Sequence, residues 1–197
     1  MKIGLFFGSF NPVHHGHLII AQYVLNNTDI EQMWMVVSPQ NPFKKSNQLL
    51  NEYQRLHLVR LATEKTPNIK PVDIEFRLPK PSYTNNTLAY LKEKYPQHDF
   101  TLIMGADSVQ NLPNWNNAAV ILNEYKIIAY KRPGIEIKNS PAKYLTVIED
   151  VPLLMISSSY IRNLIQEGKS INFLMPEVVI AEIERSGYYR LKPPADE

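Results

Sequence analysis

In the stretch Ile3-Gly4-Leu5-Phe6-Phe7-Gly8-Ser9-Phe10-Asn11-Pro12-Val13-His14-His15-Gly16-His17, an apolar run from Ile3 to Phe7 stops at Gly8 and Pro12. Runs of this kind form strands buried on both faces of a parallel sheet. From His17 to Leu25 the period changes, because Leu18, Ala21, Val24 and Leu25 recur at the spacing of one helix face. A buried strand, a polar loop and a helix therefore follow one another at the start of the chain.

The alternation continues outward from this unit. Met33 to Val37 is a second apolar run, and a polar loop containing Asn41 and Pro42 follows it. A helix is predicted over Leu49 to Lys65 from Leu49, Tyr53, Leu56, Val59 and Ala62, and a strand over Val72 to Phe76. Thr87 to Tyr95 is helical in pattern and ends before Pro96. Strands are expected at Phe100 to Met104, Ile127 to Tyr130 and Tyr144 to Ile148. A helix begins near Ser158, and a last one spans Pro176 to about Arg185 with the proline in its first turn. The fold class is α/β, a Rossmann-like open, mostly parallel sheet with helices on both faces. One domain over residues 1–190 with a small C-terminal helical portion is expected, followed by a frayed tail over 191–197.

Composition narrows the function. The 197 residues are 44% apolar and 20% charged, and the net charge is +2. Those values suit a folded domain and mark neither a membrane span nor a broad basic surface for nucleic acid. The absence of cysteine removes disulfides and thiolate chemistry and agrees with a cytoplasmic location.

Residues 8 to 17 lie where a parallel sheet binds ligands, beyond a strand's carboxyl end and before a helix N-terminus. Gly8 lets the backbone approach a ligand, Pro12 stiffens the loop, and the helix offers unpaired N–H groups at a positive dipole end. His14 and His17, three apart, can face the same side and donate to one phosphate chain, while His15 points elsewhere. The bland alternative is a capped helix with surface or core histidines. A metal site from His14, His15 and His17 lacks Cys or an acidic fourth ligand nearby, so no metal ligands are expected from protein side chains. Near the other end, Ile156-Ser157-Ser158-Ser159-Tyr160-Ile161-Arg162 places a capping Ser157 or Ser158 at a helix start and Arg162 one turn in, within reach of an anion. Alone, this motif reads equally as an ordinary N-cap with a solvated arginine.

Gly8-Ser9-Phe10-Asn11-Pro12-x-His14-x-Gly16-His17 resembles the Gly-Thr/Ser-Phe-Asp-Pro-x-His-x-Gly-His signature of the adenylyltransferases related to class I aminoacyl-tRNA synthetases. Ile156 to Arg162 resembles the element of the same family that binds the ATP phosphates. The resemblance thus implies an ATP site of Gly8, Ser9, Phe10, His14, Gly16, His17, Ser157, Ser158 and Arg162. Two positions depart from the pattern: Asn11 stands where Asp is usual and is expected to keep the turn, and Phe7 stands where Gly is common and can close part of the pocket.

Between the motifs the chain resembles the nicotinate mononucleotide adenylyltransferases in particular. Asn41-Pro42-Phe43-Lys44 stands for their Pro-Pro-His-Lys, which implies that Lys44 holds the acceptor phosphate, with Lys45 as a neighbouring substitute. Pro81-Ser82-Tyr83-Thr84 implies Thr84 at the pyridine end, Gly105-Ala106-Asp107 adds Gly105 and Asp107 to the ATP site with a ribose contact from Asp107, and Pro113-Asn114-Trp115 implies an indole stacked on the pyridine ring. Lys131-Arg132-Pro133-Gly134 implies positive charge near the phosphates and Arg132 on the acceptor. Some relatives carry Tyr after the tryptophan where this chain has Asn116.

The reaction so implied is attack of a mononucleotide phosphate on the α-phosphorus of ATP, with Mg²⁺ accompanying ATP and with His14, His17, Lys44 and Arg162 stabilising charge. The expected product is nicotinate adenine dinucleotide, a step in NAD biosynthesis. The partners are ATP and a pyridine mononucleotide, with no nucleic acid and no membrane, and a homo-oligomer is compatible with the sequence. The alternatives are the amide mononucleotide or phosphopantetheine as acceptor, or a nucleotide-binding regulator without chemistry.

Overall fold

The computed structural model describes residues 1–40, 49–131, 134, 135, 137 and 140–191. Lys2–Gly8 forms β1, His15–Asn27 α1, Gln32–Val37 β2, Glu52–Thr63 α2 and Ile69–Val72 β3. Thr84–Lys94 forms α3, Asp99–Gly105 β4, Ala106–Asn111 α4 and Ala118–Glu124 α5. Lys126–Tyr130 is β5, Tyr144–Ile148 β6, Ser158–Gln166 α6 and Glu177–Ser186 α7.

The sheet order is β3-β2-β1-β4-β5-β6, and every neighbouring pair is parallel. The chain winds outward from β1 to β3, returns to β4 beside β1, and then winds outward the other way. The strand order therefore reverses between β1 and β4, and the crevice beyond their carboxyl ends is where such sheets bind ligands. Register pairs Phe6 with Ile103, so Gly8 and Gly105 reach the same rim.

Alternation along the strands builds two cores. Phe6, Met33, Met35, Val37, Ile103, Ile128 and Tyr130 meet Ile20, Val24, Leu56, Val59, Ile161, Val179 and Ile183 on one face. Ile3, Leu5, Trp34, Val36, Leu102, Met104, Ile127 and Ala129 meet Leu88, Leu91, Val109 and Ile121 on the other. Thus α1, α2, α6 and α7 cover one face and α3, α4 and α5 the second. Among the described residues, no helix is long and apolar enough to cross a membrane.

Several boundaries differ from the sequence reading. The expected strand over Val72 to Phe76 is instead β3 at Ile69–Val72 followed by a 3₁₀ turn at Ile74–Arg77. β3 is an edge strand, which tolerates Pro71 without a ladder N–H, and Phe76 N–H turns back to the Asp73 carbonyl. α2 starts at Glu52 rather than Leu49, because Asn51 caps it by accepting from Tyr53 N–H. Rotation of the helix around that start leaves Tyr53 64% exposed and buries Arg55, Leu56, Leu58 and Val59. α3 begins three residues earlier than expected, at Thr84, and Pro176 caps α7 from just outside its first turn. α4 and α5 were not predicted, and each is too short to show two turns of hydrophobic period.

Candidate active site

The loop after β1 is shaped by one ring. Phe10 takes φ +45 and folds back over Gly8, where a Cβ would lie 2.8 Å from the ring. Gly8 thus makes room for Phe10, whereas the sequence suggested room for a ligand. Phe10 is 2% exposed and stands edge-on to Phe6 and to His17, with ring centroids 5.8 and 5.0 Å away. Its side chain belongs to the core. Phe7 is half-buried and packs on the opposite core, against the α3–α5 side.

His14 is the residue before α1 and is buried, and His17 is the third residue of the helix and half-buried. Their rings stack with centroids 3.7 Å apart and 28° between planes. His17 Nδ1 accepts from His14 N–H at 3.3 Å, so the neutral ring carries its proton on Nε2. Phe6 and Phe10 back the His17 ring and fix its plane. Gly16 is the space that admits His14, because a Cβ there would lie 3.0 Å from its Nδ1 and 3.1 Å from its Cε1.

The second motif docks onto the first. Ser158 Oγ donates to the Pro12 carbonyl at 2.8 Å, and Arg162 Nη1 donates to the Asn11 carbonyl at 2.8 Å. Ser157 caps α6 by accepting from Tyr160 N–H, and Arg162 also reaches Ser159 Oγ at 3.2 Å. The N-termini of α1 and α6 therefore converge, and neither carries an acidic residue in its first turn. Two unopposed positive dipole ends at one crevice favour a polyanion. Arg162, expected to serve an anion, also ties the two motifs together.

Arg55 is a buried side chain beside this loop that sequence reading did not single out. It is fully buried, and burial lowers its pKa from the usual guanidinium range. Its Nε donates to Leu50 O at 2.8 Å, Nη1 to Ser9 O at 2.5 Å and to Ser38 O at 2.8 Å, and Nη2 to Pro39 O at 3.1 Å. Asn11 Oδ1 accepts from Leu50 N–H at 3.1 Å, so the departure from Asp keeps the acceptor. The buried Tyr189 phenol, from the turn after α7, lies within electrostatic reach of Arg55 and Arg162, and its own burial raises its pKa.

On the opposite side of the crevice, Gly105 ends β4 and Asp107 lies half-buried in the first turn of α4. Thr84 is the first residue of α3, and Trp115 is half-buried against the second core beside exposed Asn116. One turn into α3, Thr87 Oγ1 donates at 2.9 Å to the nearly fully buried Glu75, whose pKa desolvation raises despite opposing hydrogen-bond contributions from Thr87, Ser38 and Ser82. Lys131 is paired with Glu149 at 2.5 Å, so its charge is already engaged. The expectations for Lys44, Lys45 and Arg132 fall outside the described residues.

The chain is similar to known proteins over most of its length. The cytidylyltransferase-like family model matches residues 5–164. A probable nicotinate-nucleotide adenylyltransferase of Flavobacterium johnsoniae is 49% identical over 96% of this chain and all of that relative. One of Bacillus licheniformis is 35% identical over 95% of this chain and 98% of its own length. The fold superposes on Plasmodium falciparum nicotinic acid mononucleotide adenylyltransferase complexed with NaAD with a TM-score of 0.82. That match has 21% identity and covers 95% of this chain and 97% of the other, and at that identity the likeness is one of fold.

Proposed function

We propose a division of labour for a chain that belongs to the cytidylyltransferase-like family and, within it, to the nicotinate-nucleotide adenylyltransferases. The enzyme transfers the adenylyl group of ATP to nicotinate mononucleotide, giving nicotinate adenine dinucleotide and pyrophosphate in NAD biosynthesis. The observation that carries the site assignment is the docking of Ser158 and Arg162 onto the Pro12 and Asn11 carbonyls, beside the stacked His14 and His17.

An oxygen of the acceptor phosphate attacks the α-phosphorus, and the bond from that phosphorus to the bridging oxygen breaks, with its electron pair leaving on pyrophosphate. The acceptor phosphate is already ionised near neutral pH, so positioning and charge stabilisation carry the catalysis. His17 presents Nε2–H to the phosphates, and His14 supports that ring by stacking. The N-termini of α1 and α6 hold the triphosphate, Arg162 adds charge there, and Lys44 holds the acceptor phosphate. Asp107 takes ribose hydroxyls, while Thr84 and Trp115 hold the pyridine ring, with Arg132 nearby.

Mg²⁺ comes with ATP. Among the described residues no group of three or more His, Cys, Asp or Glu could hold a metal ion, and we place the ion on the substrate phosphates. Bound there, it neutralises part of the triphosphate charge. We place the enzyme in the cytoplasm, where ATP is made and where a cysteine-free chain loses nothing to reduction.

The test is pyrophosphate release from ATP and Mg²⁺ with nicotinate mononucleotide, nicotinamide mononucleotide or phosphopantetheine. The acid mononucleotide is expected to give the highest kcat/KM, and no release with it overturns the reading. His17→Ala is expected to lower kcat by about 10²–10³-fold with a much smaller change in acceptor KM, the size seen when one preorganised donor is lost. Near-normal turnover would remove the role of His17.

A further inference from the structure

A buried guanidinium is costly unless its donors are satisfied, and it normally faces a carboxylate. Among the described residues, no carboxylate forms an ion pair with Arg55. Among the described residues its guanidinium makes four hydrogen bonds, all to backbone carbonyls, and those carbonyls come from three separate places around the crevice. Ser9 lies in the loop after β1, Ser38 and Pro39 follow β2, and Leu50 precedes the cap of α2.

The Leu50 residue is held from both sides, because its carbonyl accepts from Arg55 while its N–H donates to Asn11 Oδ1. The Asn11 carbonyl in turn accepts from Arg162. One connected network thus runs from Arg55 through Leu50 and Asn11 to Arg162 in the second motif, with a direct branch from Arg55 to Ser9. A rigid planar fork reaches carbonyls in several directions at once, which an ammonium on a single nitrogen does not.

We propose that Arg55 is a positioning residue for adenylyl transfer, holding the loop that carries Ser9 to His14 in register with the residues after β2 and before α2. It touches neither substrate. The proposal rests on the function proposed above. In-line transfer demands tighter placement than binding does, so the effect of Arg55 falls on kcat more than on KM.

The test compares Arg55→Lys and Arg55→Ala with the parent, using ATP and nicotinate mononucleotide and scaling kcat to the folded fraction from circular dichroism and thermal melting. Arg55→Lys is expected to fold and to lose about tenfold or more in kcat, with KM for ATP changing less than about threefold. Millimolar guanidinium is expected to restore part of the kcat of Arg55→Ala, and to leave the parent unchanged. A kcat per folded molecule equal to the parent's in both variants overturns the role. So does a failure of both variants to fold, which makes Arg55 a folding residue only. Absence of turnover in the parent overturns the functional reading and this proposal together, which separates that failure from one confined to Arg55.

Discussion

Replacing Gly16 by alanine separates catalytic positioning from stability. Within the helix the change gains up to about 1 kcal/mol of propensity, less so close near the N-terminus. Against that, the new Cβ stands 3.0 Å from His14 Nδ1 and 3.1 Å from Cε1. Ordinary contact begins at about 3.5 Å, so the ring must move by roughly half an ångström. His14 has little room to yield, being 5% exposed and stacked on His17 at 3.7 Å. Its displacement is therefore passed to the His17 ring. Misplacement by 1 Å costs about 10²-fold in rate, so half that shift is expected to lower kcat about tenfold, equal to about 1.4 kcal/mol in the barrier. The melting temperature should stay within about 2–4 °C of the parent, the shift that about 1 kcal/mol produces in a chain of this size. Continuous pyrophosphate release gives kcat and KM, and a thermal melt gives stability. A kcat within about twofold of the parent in a variant of unchanged stability would refute the link between Gly16, His14 and the chemistry.

Ser158→Ala removes the bond to the Pro12 carbonyl and is expected to cost about 1 kcal/mol in urea unfolding, with a fall in kcat as α6 loosens from the first loop. Asn11→Asp is expected to retain most activity because it keeps an acceptor for Leu50 N–H, whereas Asn11→Ala strands that N–H and should cost about 1–3 kcal/mol in the same assay. Glu75 supplies a pH test: its folded pKa lies above its unfolded value, so the folded state holds the extra proton and stability falls as pH rises from about 4.3 through the raised folded value. Glu75→Gln should flatten that part of the stability curve, and an unchanged slope in chemical denaturation across this window would show that Glu75 does not set it.

The inner strands β1, β2, β4 and β5 were legible because both faces of the sheet are covered there, which makes them mostly apolar runs. Tyr144–Ile148 has the bounds its residues predict, and β1, β2, β4 and β5 differ from prediction only at their ends. Where the reading slipped, a local rule outweighed periodicity. Pro71 is admitted by an edge strand, and Asn51 stops the α2 pattern from beginning at Leu49. In α4 and α5 there are too few residues for a period to emerge.

The site divides along a different line. Residues that the sequence singled out through their side chains lie together: Ser158 and Arg162 dock on the loop that carries His14, although Ser158 and Pro12 stand 146 positions apart. Arg55 escaped because its hydrogen bonds among the described residues go to backbone carbonyls. An arginine inside Glu52-Tyr53-Gln54-Arg55-Leu56 reads as a solvated charge on an amphipathic helix, and nothing in the spelling of Ser9, Ser38, Pro39 or Leu50 announces that their carbonyls share one partner. The same reasoning accounts for Asn11. Among its bonds, that position offers a carbonyl to Arg162 and a side-chain oxygen to Leu50 N–H. Both are present in asparagine as in aspartate, and the hydrogen bonds seen at Asn11 require no negative charge there.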